Sequence, residues 1–204
     1  MPAASGHVEA FGRDVRTEDD FMAVRARVGL LFQDSDDQLF CPTVIEDVMF
    51  GPLNLGWTAA DARVHADRTL AQLGIAHLAD RVTHRLSGGE KRLVSLATVL
   101  AMDPEVLLLD EPTNALDDDA LDRLVVLLGG LPCAMVMVTH DTALVERLGF
   151  HPVVLRDGGL ISAEMHRHPH VHEHQHGHVH VQSDDAAVDT HAPHDHIDQH
   201  PLHG

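Results

Sequence analysis

An α/β fold, a largely parallel sheet with helices packed on it, is what this sequence predicts. Two observations carry the prediction. Short continuous apolar runs at 28–32, 106–110, 134–139 and 153–156 alternate with longer helical stretches. Strands that are apolar on both faces belong to parallel sheets covered by helices. Near residue 165 the composition then changes abruptly, and His, Asp, Pro and Gly replace the large apolar residues. Such a stretch cannot bury enough surface to fold. The expected organisation is a folded domain over 1–164 and a disordered His-rich tail over 165–204.

The elements follow in order. Residues 8–15 suit a short strand and turn. The run 28–32 reads as a buried strand. Thr58 is a good N-cap for a helix running to about Leu73, with Gly74 as its stop. Ser87 opens another helix, which reaches Met102 and stops at Asp103-Pro104. A buried strand over 106–110 and a helix over 118–128, ended by Gly129-Gly130, come next. A strand over 134–139, a helix over 142–148 and a strand over 153–156 complete the folded part.

Composition excludes several functions. The formal charge of −18 argues against nonspecific nucleic-acid binding, which needs a basic face. At 3% aromatic content there is no stacking platform for single strands. Cys41 and Cys133 match no metal or redox spacing and read as ordinary thiols in a reducing compartment. No signal peptide opens the chain, and no apolar run approaches the roughly 20 residues that span a bilayer. Any membrane association is therefore expected through a partner.

The chemistry gathers at strand ends. Asp110 closes an apolar strand, so it emerges at the C-terminal edge, where ligands bind in open α/β sheets. A carboxylate there can hold Mg²⁺ through oxygen ligands. Glu111, next along, can act as general base on a water. Gly88 and Gly89 at a helix start expose backbone N–H groups to an anion. His140 follows the apolar run 135–139, and Gln33 follows 28–32, so both fall at the same kind of edge.

Leu86-Ser87-Gly88-Gly89-Glu90, then 106–113 (VLLLDEPT), then Val138-Thr139-His140-Asp141 stand in fixed order. The set resembles the ATPase of ABC transporters, a P-loop NTPase-like fold. The resemblance covers about residues 2–162. It implies that Ser87, Gly88, Gly89 and Glu90 form the signature motif, which contacts ATP held by the opposite subunit. It implies that Asp110 is the magnesium-site residue, Glu111 the catalytic base, His140 the switch histidine and Gln33 the Q-loop glutamine. Asp117 ends the D-loop 114–117. Glu90 departs from the commoner Gln. The segments 28–40 (VGLLFQDSDDQLF), 47–56 (DVMFGPLNLG) and 100–104 (LAMDP) resemble the energy-coupling-factor and cobalt/nickel uptake branch. Chromosome-maintenance ATPases share Leu-Ser-Gly-Gly-Glu-Lys, but they need heptad arms that this sequence lacks.

A P-loop requires Gly-x-x-x-x-Gly-Lys-Ser/Thr, and the only lysine, Lys91, follows the signature segment. Residues 2–12 (PAASGHVEAFG) resemble the stretch that follows the P-loop helix in the family. The expected domain therefore lacks its N-terminal P-loop strand and helix, and the chain is expected to be inactive alone.

In the tail, His166, His168, His170, His172, His174, His176, His178 and His180 alternate with other residues. In an extended chain they share one side at roughly 6–7 Å spacing. Neutral imidazole binds Zn, Cu, Ni and Co without separating them; the resemblance to the cobalt/nickel branch implies Ni or Co there. The resemblance implies ATP and Mg as ligands, an integral membrane subunit and a second ATPase subunit as partners, no nucleic acid, and a place on the cytoplasmic face of the membrane. The alternative is a non-enzymatic metal-binding protein built on the same fold remnant.

Overall fold

The computed structural model describes residues 5–167 and 177–181, with side chains through Ala163. The chain divides into two compact units, Met1–Leu148 and Gly149–Gly204.

In the first unit, β1 (Glu9–Ala10) and β2 (Arg13–Asp14) form a small antiparallel hairpin. Then come α1 (Glu18–Arg25), β3 (Val28–Leu31), α2 (Val44–Asn54), α3 (Ala59–Gln72), α4 (Gly88–Leu100), β4 (Val106–Asp110), α5 (Asp118–Gly130), β5 (Ala134–Val138) and α6 (Thr142–Leu148). Local chemistry explains the boundaries. The Thr58 hydroxyl accepts from the Asp61 N–H at 3.1 Å and starts α3. Gly74, at φ 73°, ends it. Helix α5 runs through both glycines that were expected to stop it, and α4 ends at Leu100 rather than Met102. Helices α1 and α2 carry no clear sequence period. The first buries no residue, and the second contains Gly51-Pro52, ordinarily a break. Burial of Val44, Ile45, Val48 and Pro52 holds α2 helical across that signal.

Strands β3, β4 and β5 form a parallel sheet in that order, with Leu31 opposite Leu109 and Asp110 opposite Val138. The expectation of strands buried on both faces is corrected here. Leu31, Leu107 and Leu109 are buried, while Leu30, Val136 and Val138 on the opposite face are exposed. The side chains alternate across the pleat, and only one face meets the helix-borne core of Val48, Leu70, Leu96 and Leu124.

Helix α4 lies very close to β3. A Cβ added at Gly29 would stand 2.3 Å from Val99 Cγ1 and 3.2 Å from Leu107 Cδ1. Gly29→Ala is therefore expected to cost about 1–3 kcal/mol, the usual penalty for overpacking a filled core. Urea unfolding measures it, and an unchanged midpoint would contradict this packing.

The second unit holds β6 (Val153–Arg156), β7 (Gly159–Arg167) and β8 (Gly177–Val181), an antiparallel sheet in that order. The strand expected at 153–156 thus pairs with β7 and does not extend the parallel sheet. Asp157 and Gly158, at φ 50° and 80°, form the two-residue turn that dictates this hairpin. The tail also departs from the expected disorder over 165–167, the end of β7, and over 177–181. There β8 pairs with β7, Glu164 opposite His180 and His166 opposite His178. The β-branched Val179 and Val181, placed every second residue, suit a strand. His168, His170, His172, His174 and His176 lie outside the described residues.

Candidate active site

Parallel strands in register end together, and that brings the site residues to one edge. Leu31 pairs with Leu109, so Phe32-Gln33 and Asp110-Glu111 leave the sheet side by side. Gln33, Asp110, Gly88 and Asn114 line one cleft of about 630 Å³. Asp110 also pairs with Val138, which places Thr139 and His140 beside Glu111.

Glu111 is held in detail. Its backbone N–H donates to the Val138 carbonyl at 2.8 Å, and its φ is 46°, a left-handed conformation uncommon for a non-glycine residue. The Thr139 hydroxyl donates to Oε2 at 3.3 Å. His140 Nδ1 lies 2.9 Å from Oε1. The carboxylate is 15% exposed and the imidazole 81% exposed, so the acid sits in the wall and the histidine stands outside it. A fixed, partly desolvated carboxylate at a sheet edge can accept a proton from a water.

The hydrogen bond to Glu111, then its negative charge, raise the pKa of His140 above the ordinary 6.5. The contact is therefore fully charged below pH 6.5 and is lost as pH rises through the raised value. NMR titration of His140 is expected to show an elevated midpoint that Glu111→Gln returns towards 6.5. An elevated midpoint that survives the substitution would remove Glu111 as its cause.

Residues 86–90 reach the cleft through Gly88. Ser87 caps α4. Its N–H donates to Glu90 Oε2 at 2.8 Å, and its hydroxyl accepts from the Glu90 N–H at 3.3 Å. The Ser87 N–H and hydroxyl hold the Glu90 carboxyl below its usual range. Gly89 is required by the loop opposite, because a Cβ there would lie 2.8 Å from the Ala115 carbonyl oxygen. Asp117 caps α5 by accepting from the Ala120 N–H at 2.8 Å. Asp110 and Gln33, sharing the cleft, offer the oxygen donors that suit Mg²⁺. When bound, the ion would neutralise phosphate charge.

One site residue escaped the sequence reading. Arg92, on the first turns of α4, is 2% exposed. Its guanidinium donates to the carbonyls of Phe32, Gln33, Asp110, Glu111 and Pro112. A cation next to the apolar Leu93, Val94, Leu96 and Ala97 of a buried helix was the available signal.

A second, apolar groove of about 590 Å³ is lined by Met22, Leu30, Phe32, Phe40, Phe50 and Met102. Phe40 and Phe50 meet edge to face at 4.6 Å, and Phe40 remains 65% exposed. Beside it, burial and the neighbouring Asp47 charge push the Cys41 thiol up to about 11, which favours the thiol over the thiolate at neutral pH. Among the residues whose side chains are described, no group of three or more metal-ligating side chains forms a metal site. No described helix is long and apolar enough to cross a membrane.

The family model described as ABC transporter matches residues 1–114. The chain belongs to the ABC transporter family. An ABC transporter ATP-binding protein of Brucella suis is 56% identical over 167 residues, covering 82% of this chain and 70% of that protein. The cobalt import ATP-binding protein CbiO of Rhodobacter capsulatus is 51% identical over 141 residues, covering 68% of this chain and 50% of that protein. The nickel import ATP-binding protein NikO of the same organism is 45% identical, covering 78% of this chain and 67% of that protein. Among solved structures, CbiO1 of Clostridium perfringens, described as part of the ABC transporter complex cbiONQ, aligns with a TM-score of 0.67 at 35% identity. It covers 78% of this chain and 65% of that one. The chain thus spans between half and about 70% of the length of these relatives. Gly88 of the Leu86–Glu90 segment and Asp110 of the 106–113 segment line the one cleft.

Proposed function

We propose that this chain carries the catalytic and signature segments of an ABC-type ATPase that energises import of a transition-metal ion, cobalt or nickel. The observation that carries the reading is Glu111, gripped by Thr139 and His140 at the sheet edge beside Asp110. In this reading Glu111 is the base, His140 and Gln33 contact the terminal phosphate region, and Asp110 holds Mg²⁺. Ser87, Gly88, Gly89 and Glu90 face ATP bound to a second ATPase subunit, and Asp117 supports the loop between them. The metal choice is supported by the likeness to CbiO and NikO. The apolar groove beside Gln33, with Phe40 and Phe50 exposed, suits a helix of an integral membrane subunit at the cytoplasmic face. Deleting the gene and measuring accumulation of labelled Ni²⁺ and Co²⁺ tests the reading. Loss of uptake of either supports it, and unchanged uptake of both counts against it.

The histidines from His166 to His180 act in this reading as a store or sensor for the transported ion. The full chain is expected to bind several Ni²⁺ or Co²⁺ ions at pH 7.5 and to release them near pH 6, as protons compete for the imidazole lone pairs. A chain lacking residues 166–204 should bind none and keep the Met1–Leu148 unit folded, although it loses β8 and the end of β7. Calorimetric titration of both forms decides, and equal stoichiometry would place the metal site elsewhere.

A further inference from the structure

We propose that Arg92 is a positioning residue that locks the end of β3 to the end of β4, holding Gln33 and Glu111 in one fixed relation. The guanidinium acts as a fork. Nη1 donates to the carbonyls of Phe32 and Gln33, and Nη2 donates to those of Asp110 and Glu111. Nε donates to the Pro112 carbonyl at 3.3 Å. One arm therefore serves each strand end, just past the Leu31–Leu109 pair.

The surroundings make this a built feature rather than a chance contact. A buried cation is costly unless its donors are satisfied. Here five main-chain carbonyls satisfy it. Burial draws its pKa down, while the charges of Asp110 and Glu111 oppose that. Its neighbour Lys91 does something else, pairing with Asp36 at 2.5 Å on the cleft rim. A planar group with several fixed donors can span two strands, whereas the single nitrogen of a lysine cannot. Phe32 also lines the apolar groove. With Glu111 read as the base, Arg92 bridges the Phe32 wall of that groove to the base's own backbone.

The test reads position, not turnover, and so is separate from the ATPase reading. Arg92→Lys keeps the charge and removes the fork. In the full chain, the elevated His140 midpoint reports how Glu111 is held, and its NMR signal is assigned by its loss in His140→Gln. Arg92→Lys is expected to move that midpoint towards the ordinary value, as Glu111→Gln does. Hydrogen exchange in segments 29–34 and 108–113 should accelerate together by about tenfold, the scale of one lost charged hydrogen bond, with α3 unchanged. An unmoved His140 midpoint in folded Arg92→Lys, or acceleration of only one segment, would overturn the proposal. Arg92→Gln is measured in the same way if Arg92→Lys does not fold. Collapse of both would also overturn it, because Arg92 would then support the whole core and not the relation between two strand ends.

Discussion

Joined to an N-terminal segment carrying Gly-x-x-x-x-Gly-Lys-Ser/Thr, the Glu111→Gln protein is expected to bind Mg-ATP normally and to turn it over about 10²–10⁴-fold more slowly than its parent. The carboxamide keeps the size of the side chain and can still accept from the Thr139 hydroxyl, which donates to Glu111 at 3.3 Å. It cannot take a proton from water. Binding should survive because Gln33, Gly88 and Asp110, which line the cleft, are untouched. Phosphate release and equilibrium nucleotide binding, measured on the same sample, separate the two effects. Near-parental turnover would remove Glu111 from the role of base, and lost binding would make it a ligand instead.

The 204-residue polypeptide by itself is expected to release phosphate from Mg-ATP only at background. Lys91, the one lysine in the sequence, is committed to Asp36 at 2.5 Å. Arg92 is turned inward to carbonyl groups. Asp34, Asp36, Asp37 and Asp110 make the cleft wall acidic, which disfavours a polyphosphate without a P-loop's amides and lysine. The measurement is phosphate release by the purified chain with and without Glu111→Gln. Turnover that the substitution abolishes would mean that this cleft binds the nucleotide unaided.

Much of the fold was legible because local signals agreed with tertiary packing. Helix α3 begins at the Thr58 cap and ends at Gly74, as the residues suggest. Strand β4 ends at Asp110 and puts its carboxylate in the cleft. The departures have physical causes. Helix α2 forms across Gly51-Pro52 because burial of Val44 and Val48 outweighs a local break. The β6–β7 hairpin follows from Asp157-Gly158, a strong two-residue turn signal that the apolar run at 153–156 overshadowed. Strands taken as buried on both faces are buried on one, since a continuous apolar run shows which residues are apolar and not which face is covered.

By itself, the sequence determined the chemical types and their order: glycines at a helix start, an acid pair closing one strand, a histidine just past another. It determined the family through that order. Which groups touch was decided only by the tertiary structure. The parallel registers Leu31–Leu109 and Asp110–Val138 bring three strand ends to one edge, so Gln33 and Asp110 share a cleft and His140 reaches Glu111 although they lie on different segments. Arg92 joins Gln33 and Glu111 by donating to their main-chain carbonyls. Every residue carries a carbonyl, so side-chain identity cannot say which of them a buried guanidinium will find; only the packing of α4 against β3 and β4 does.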